Sequence, residues 1–125
     1  IEQAKKRVSS GVKLEVGDAI QMPYPDESFD LIICNASFHH YTQPGKAVSE
    51  IRRVLKTGGV LILGDPTLPK LLLPVVNAFM PWSDSGDYKL YGKKSITFLL
   101  ETNGFTAGQW RRINYRTFVL NAKRN

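Results

Sequence analysis

Two apolar runs joined by one amphipathic stripe constrain this chain more than any other feature. Phe29-Asp30-Leu31-Ile32-Ile33-Cys34 is nearly continuous in apolar residues, and so is Val60-Leu61-Ile62-Leu63. Such runs read as strands buried on both faces. Between them, Ala47, Val48, Ile51, Val54 and Leu55 share one helical stripe, with Lys46, Glu50, Arg52 and Arg53 opposite. Lys56-Thr57-Gly58-Gly59 stops that helix, because glycine takes the left-handed backbone that helix ends favour. Strand, helix and strand in so short a span predict a right-handed crossover and a parallel pair, hence an α/β domain.

The flanks read less firmly. Ile1, Ala4 and Val8, with Lys5, Lys6 and Arg7 between them, look like a helix already under way. No capping residue or initiator Met precedes it, so a piece of a longer protein is expected. Val12, Leu14 and Val16 alternate with polar partners as a strand does, and Gly17-Asp18 ends it. Met22-Pro23-Tyr24-Pro25-Asp26-Glu27-Ser28 is an acidic, proline-bearing loop. Downstream, Leu71 to Trp82 reads as a short, kinked apolar helix or lid, and Ser95 to Thr102 as a helix closed by Asn103-Gly104. The runs Phe105 to Ile113 and Arg116 to Ala122 read as an antiparallel pair turning at Asn114-Tyr115. With no internal repeat or low-complexity tract, residues 1–125 read as one domain.

Composition removes several classes. At 42% hydrophobic and 22% charged residues, a single packed core is expected rather than a disordered or disulfide-bound chain. The one cysteine, Cys34, sits inside an apolar run, where a packed small hydrophobe is expected rather than a nucleophile. Lacking a disulfide framework and a basic-then-apolar leader, the chain is assigned to a reducing cytoplasm. Its longest apolar stretch is broken by Pro74, Asn77 and Pro81, which argues against membrane insertion. The net charge of +6 is concentrated beyond residue 62, where nine Lys and Arg face four Asp and Glu. Those cations, Arg111, Arg112 and Arg116 among them, are spread without interleaved aromatics; solvated surface is expected, and no nucleic-acid groove.

Ligands of open α/β sheets bind beyond the carboxyl ends of the strands. Three places satisfy that rule: Gly17-Asp18-Ala19, Asn35 to His40, and Asp65-Pro66-Thr67. Each has a bland alternative. Asp18 can be a turn residue, His39-His40 loop packing, and Asp65-Pro66 a strand-ending turn. Two adjacent histidines do not make a metal site without a third ligand at suitable spacing, so no metal is expected. An imidazole titrating near neutrality suits a general base. The segment from Leu71 to Trp82 serves equally as an apolar wall over a substrate or as core.

Taken together, these stretches carry a specific likeness. Gly17-Asp18-Ala19, Met22-Pro23-Tyr24-Pro25-Asp26-Glu27-Ser28-Phe29-Asp30 and Asn35-Ala36-Ser37-Phe38-His39-His40 resemble the class I S-adenosylmethionine-dependent methyltransferases, in the branch that includes the quinone-biosynthesis enzymes. Glu50 to Gly59 continues the likeness, with Thr57 where that family usually has proline. The resemblance implies a Rossmann-like, mostly parallel sheet with a C-terminal antiparallel strand pair, and S-adenosylmethionine as cofactor. It places Asp18 against the adenine amino group, the Ala19 amide near a ring nitrogen, and Ile20 and Met22 on the adenine. Asn35 and Ala36 fall beside the methionine part of the cofactor. His39 and His40 fall near the transferred methyl, where one orients or deprotonates a small-molecule acceptor.

The departures are equally definite. The family's glycine-rich turn, the acid that holds the ribose and the first two family strands have no counterpart here. Those strands would lie between the one at Val12 and the one at Phe29, leaving a sheet with a gap. Either the flanking strands close up within the chain, or a second copy covers the open edge as a homodimer. The expected function is methyl transfer in the complete protein, with this chain alone inactive. The competing reading is a non-catalytic interaction module on the same scaffold.

Overall fold

The computed structural model describes residues 2–82 and 86–125, so Ile1, the expected start of the first helix, lies outside it. Along the chain come α1 (Glu2–Lys5), β1 (Phe29–Asn35), a 3-10 turn (Phe38–His40), α2 (Pro44–Val54) and β2 (Leu55–Pro66). There follow α3 (Leu73–Phe79), a second 3-10 turn (Met80–Trp82), α4 (Lys93–Thr102), β3 (Phe105–Asn114) and β4 (Thr117–Arg124). The strands form one sheet in the order β1-β2-β4-β3. β1 and β2 pair in parallel, as the strand-helix-strand pattern requires, and β4 runs antiparallel to both β2 and β3. Among the four strands the antiparallel pairs therefore outnumber the parallel one.

The parallel unit is built around a glycine pair. Pairing advances from Phe29 opposite Leu55 to Leu31 opposite Val60, so several residues of β2 bulge out. Gly58 there takes φ of +77°, and a Cβ at Gly59 would meet the Lys56 carbonyl oxygen at 2.8 Å and that of Asp30 at 3.0 Å. Only glycine fits both conformations without displacement. Pro44 begins α2 with its φ already set for a helix, and Ala47, Val48, Ile51 and Val54 form its buried stripe. Leu55, the last residue of the expected stripe, is buried as the first of β2.

A single hydrophobic cluster joins α2 and α4 to one face of the sheet. Ile51, Ile96 and Leu100 pack with Leu61 and Leu63 of β2 and with Phe118 and Leu120 of β4. The other face is bare: Leu31 is 49% exposed and Ile33 63%. The reading of β1 as buried on both faces is thus corrected, since β1 is an edge strand with one covered face. Residues 12–16 form no strand, and Val16 is 83% exposed. Alternation alone does not hold a strand without a ladder partner, and closure of β1 against that segment does not occur. The first helix is one turn, ending at Lys5 instead of near Val8. The closing hairpin turns at Tyr115-Arg116, one residue later than expected. No helix among the described residues is long and apolar enough to cross a membrane.

Candidate functional site

The carboxyl ends of β1 and β2 open on the three expected places, and the structure joins them through the histidines. Asp65, near the end of β2, is almost wholly buried, and its Oδ1 lies 3.0 Å from Nδ1 of the buried His39. With Asp65 ionised, Nδ1–H donates and the lone pair is left on Nε2. Burial pushes the Asp65 carboxyl up, while the His39 ring and the Phe38 and His39 amides pull it back. On the far side of the ring, Asp87 Oδ1 stands 3.3 Å from His39 Nε2, where an imidazolium formed by proton uptake meets a second carboxylate. His40 Nδ1 donates to the Gly86 carbonyl at 2.9 Å and lies 3.3 Å from the same Asp87 oxygen. Residues 86–89 are tied down because the Tyr88 and Lys89 amides both donate to the His39 carbonyl, at 2.8 and 3.0 Å.

Asp18 heads the other wall. Its Oδ1 accepts the Ile20 amide at 3.0 Å, closing a tight turn, so the turn reading holds for one carboxylate oxygen. Gly17, Asp18, Ala19 and Ile20 face His40, Tyr41, Thr42 and Gln43 across an open cavity of about 660 Å³. Met22 lines a smaller hollow of about 230 Å³ on the other side of the Asp18 turn and packs against the core. Asn35 and Ala36 lie outside the cavity, at the carboxyl end of β1. There Ala36 takes φ of +50° and donates its amide to Gly64 at 2.7 Å. A non-glycine residue in that region is strained, and such strain clusters at binding sites. Cys34 is a core residue whose thiol burial pushes up, which suits packing.

Sequence reasoning missed two features. One is a clamp from α2: Arg53 donates to the Tyr24 and Met22 carbonyls at 2.9 and 3.1 Å and to Asp26 at 2.7 Å. Glu50 pairs with Arg53 at 2.7 Å and accepts the Met22 amide at 2.9 Å. In the sequence the two read only as lying opposite the apolar stripe, and nothing in their spacing points to the loop of residues 22–28. The other is Asp87, which no spacing rule connects to His39. Its arrival supplies the third donor that adjacent histidines lack: His39, His40 and Asp87 bring ligand atoms within 4.8 Å of one another, a set that suits a divalent transition ion. The apolar segment from Leu71 to Trp82 is not core, since Leu71, Leu72, Val75, Phe79 and Trp82 are all exposed. Arg112 is more than solvated surface, for it donates to the Tyr115 and Leu68 carbonyls.

Comparison with known proteins finds relatives of both the sequence and the fold. Residues 1–63 match the profile of the family described as "Methyltransferase domain". The uncharacterized methyltransferase YcgJ of Bacillus subtilis is 38% identical over 77 residues, covering 62% of this chain and 30% of that protein. A demethylmenaquinone methyltransferase of Deinococcus radiodurans is 40% identical over 52 residues, covering 42% of this chain and 22% of the relative. The aligned stretch thus covers less than a third of either relative's length. The crystal structure of the Bacillus YcgJ protein superposes with a TM-score of 0.82 at 19% identity, over 99% of this chain and 76% of that one. The chain belongs to the methyltransferase domain family.

Proposed function

We propose that the protein to which this domain belongs transfers the methyl group of S-adenosylmethionine to a small-molecule acceptor at the carboxyl rim of β1 and β2. The observation that carries this reading is the buried His39–Asp65 pair beside the Asp18 cavity. The donor set fits the cofactor: an acid with one carboxylate oxygen outside its turn, an apolar neighbour in Ile20, and room between the Asp18 turn and His40. Asp18, Ala19, Ile20 and Met22 hold the adenine end, and Asn35 and Ala36 the methionine end. When bound, the cofactor supplies an electrophilic methyl on a sulfonium.

The chain's residues do the rest. Asp65 fixes the His39 tautomer so that Nε2 faces the rim as a base. His39 Nε2 would take up the proton that the acceptor gives up on methylation. Asp87 then steadies the imidazolium, and His40, whose ring lies 3.9 Å from that of His39, orients the acceptor from the same wall. Alignment and exclusion of water supply most of the acceleration in such a displacement. A small-molecule acceptor is supported by the name of the demethylmenaquinone methyltransferase relative. The 125-residue chain carries no glycine-rich turn and no ribose-binding acid, so alone it is expected to be inactive.

Calorimetric titration with S-adenosylhomocysteine, on the chain and on an Asp18→Ala variant, tests the cofactor site. Binding that disappears in the variant supports it; binding indifferent to Asp18 refutes the assignment. A non-catalytic module has one observation in its favour, the bare sheet face, and it predicts no binding in either form, even with the upstream sequence restored.

A further inference from the structure

A second cavity, of about 590 Å³, lies between α3 and the first turn of α4, within the size range of small-molecule sites. Its walls are apolar: Leu68, Leu73, Pro74, Leu90 and Trp110. Asn77 braces one wall by spending both amide atoms on Leu90, donating to its carbonyl and accepting from its amide, each at 2.9 Å. Five cations share the lining, Lys70, Lys89, Lys93, Lys94 and Arg112, and no acid among the described residues does. All five are solvent-exposed and so stand at the mouth, and none forms an ion pair with a described residue. Arg112 stacks over the Trp110 ring, 5.8 Å from its centroid. The Trp110 indole N–H is itself buried without a hydrogen-bond partner among the described residues.

An apolar floor beneath five uncompensated positive charges selects for one kind of molecule. A neutral hydrocarbon leaves the charged mouth unmatched and an amine is repelled, whereas an amphipathic anion satisfies both parts. The cavity also adjoins the proposed site. Asp65 pairs with Phe118 across β2 and β4, and Phe118 pairs with Arg112 across β4 and β3. Arg112 therefore lies two strands from Asp65 on one row of the sheet, roughly 10 Å away at ordinary strand spacing. Lys89, at the mouth, donates its amide to His39.

We infer that this cavity holds the apolar, anion-bearing part of the methyl acceptor, a soluble amphipathic carboxylate or phosphate monoester whose reacting atom reaches His39. The inference rests on the methyl-transfer reading for the acceptor's role, but not for the binding itself.

Trp110 is its own reporter once the second tryptophan is removed as Trp82→Phe. Octyl phosphate titrated into that protein should change Trp110 fluorescence saturably and bind at least about tenfold tighter than octanol, octylamine or inorganic phosphate. Paired charge reversals Lys93→Glu and Lys94→Glu, on exposed positions that leave the core alone, should weaken it by about tenfold or more. Leu73→Phe should crowd the cavity without adding a second tryptophan and weaken binding by about tenfold or more, while Asp18→Ala should leave it unchanged. Equal affinity for octanol and octyl phosphate, or indifference to the charge reversals, would overturn the cavity's assignment even where S-adenosylhomocysteine binds. Octyl phosphate binding without any cofactor binding in the protein with its upstream sequence restored would instead overturn the acceptor role.

Discussion

The two faces of this sheet are built from the same strands and meet opposite fates. On one, Leu61, Leu63, Phe118 and Leu120 lie fully buried beneath α2 and α4. On the other, Leu31, Ile33 and Ile113 are exposed, and Ile62 and Val119 share a shallow hollow with Arg111 and Asn121. Successive side chains of a strand alternate between faces, so one sequence writes both. The bare face is nearly as aliphatic as the covered one, which is the composition of a sheet meant to be covered twice. Hydrophobic patterning records what a face is suited to, and only packing shows what it receives.

Truncation should separate the faces most sharply. Phe118→Ala on the covered side should cost about 3–5 kcal/mol, because it removes a fully enclosed ring and leaves a cavity. Ile33→Ala on the bare side should change stability by no more than about 0.5 kcal/mol. Urea unfolding measures both, and a large loss at Ile33 would mean that something covers that face in solution.

A second contrast sets the core against the loop of residues 22–27. That loop has no regular structure and is held by Arg53 and Glu50. Arg53→Ala should speed hydrogen exchange at the Met22 amide by about tenfold or more while Leu61 and Leu63 keep their protection. Cofactor affinity should fall with it, since the loop carries Met22 and abuts the Asp18 turn. Equal loss of protection in loop and sheet would mean the clamp supports the fold as a whole.

Acid should act on the two regions with opposite sign. Glu50 is held below its ordinary value of 4.5, first by its hydrogen bond from Arg53, so its contribution is present above 4.5 and lost as pH falls through the lowered value. Asp65 is raised above 3.8, mainly by burial, so its contribution is full below 3.8 and is lost as pH rises through the raised value. Relative to the parent chain, Asp65→Asn should therefore gain stability as pH rises through that window and hold a constant difference above it. Urea midpoints against pH check the sign, and a difference that narrows with rising pH would contradict it.

Much of the fold was legible because local rules and global packing agree in the parallel unit. The α2 stripe and the turn at Gly104, where φ is +81°, follow from neighbouring residues alone, whereas α2 already ends at Val54 and Gly58-Gly59, expected to stop it, form the bulge inside β2 instead. The supposed strand at Val12, Leu14 and Val16 failed for a reason no local pattern contains, because a strand depends on a neighbour. The site divided along the same line. Asp65 near the end of β2 and His39 just beyond β1 lie where the rule for open sheets points, whereas Asp18 follows no strand. The His39–Asp87 approach and the cation-ringed cavity depend on the path of residues 86–94, which carry no periodic signal. Arg53 was visible, but its stripe position said only which way it faced, and not that four groups of one loop would converge on it.

The smallest expected change in stability bears on the largest open surface. The outer edge of β1 has no strand partner among the described residues, and Leu31 and Ile33 flank it on the bare face. Unpaired strand edges beside exposed aliphatics favour pairing with another chain. We propose that two copies associate through this region, so sedimentation should show mass rising with concentration. Ile33→Lys should shift the chain to monomer while altering its unfolding free energy by no more than about 0.5 kcal/mol, because a charge on an exposed edge disrupts association without touching the core. A parent chain that stays monomeric at every concentration would remove the dimer. The bare face would then have to be covered from elsewhere in the protein, as its aliphatic composition already indicates.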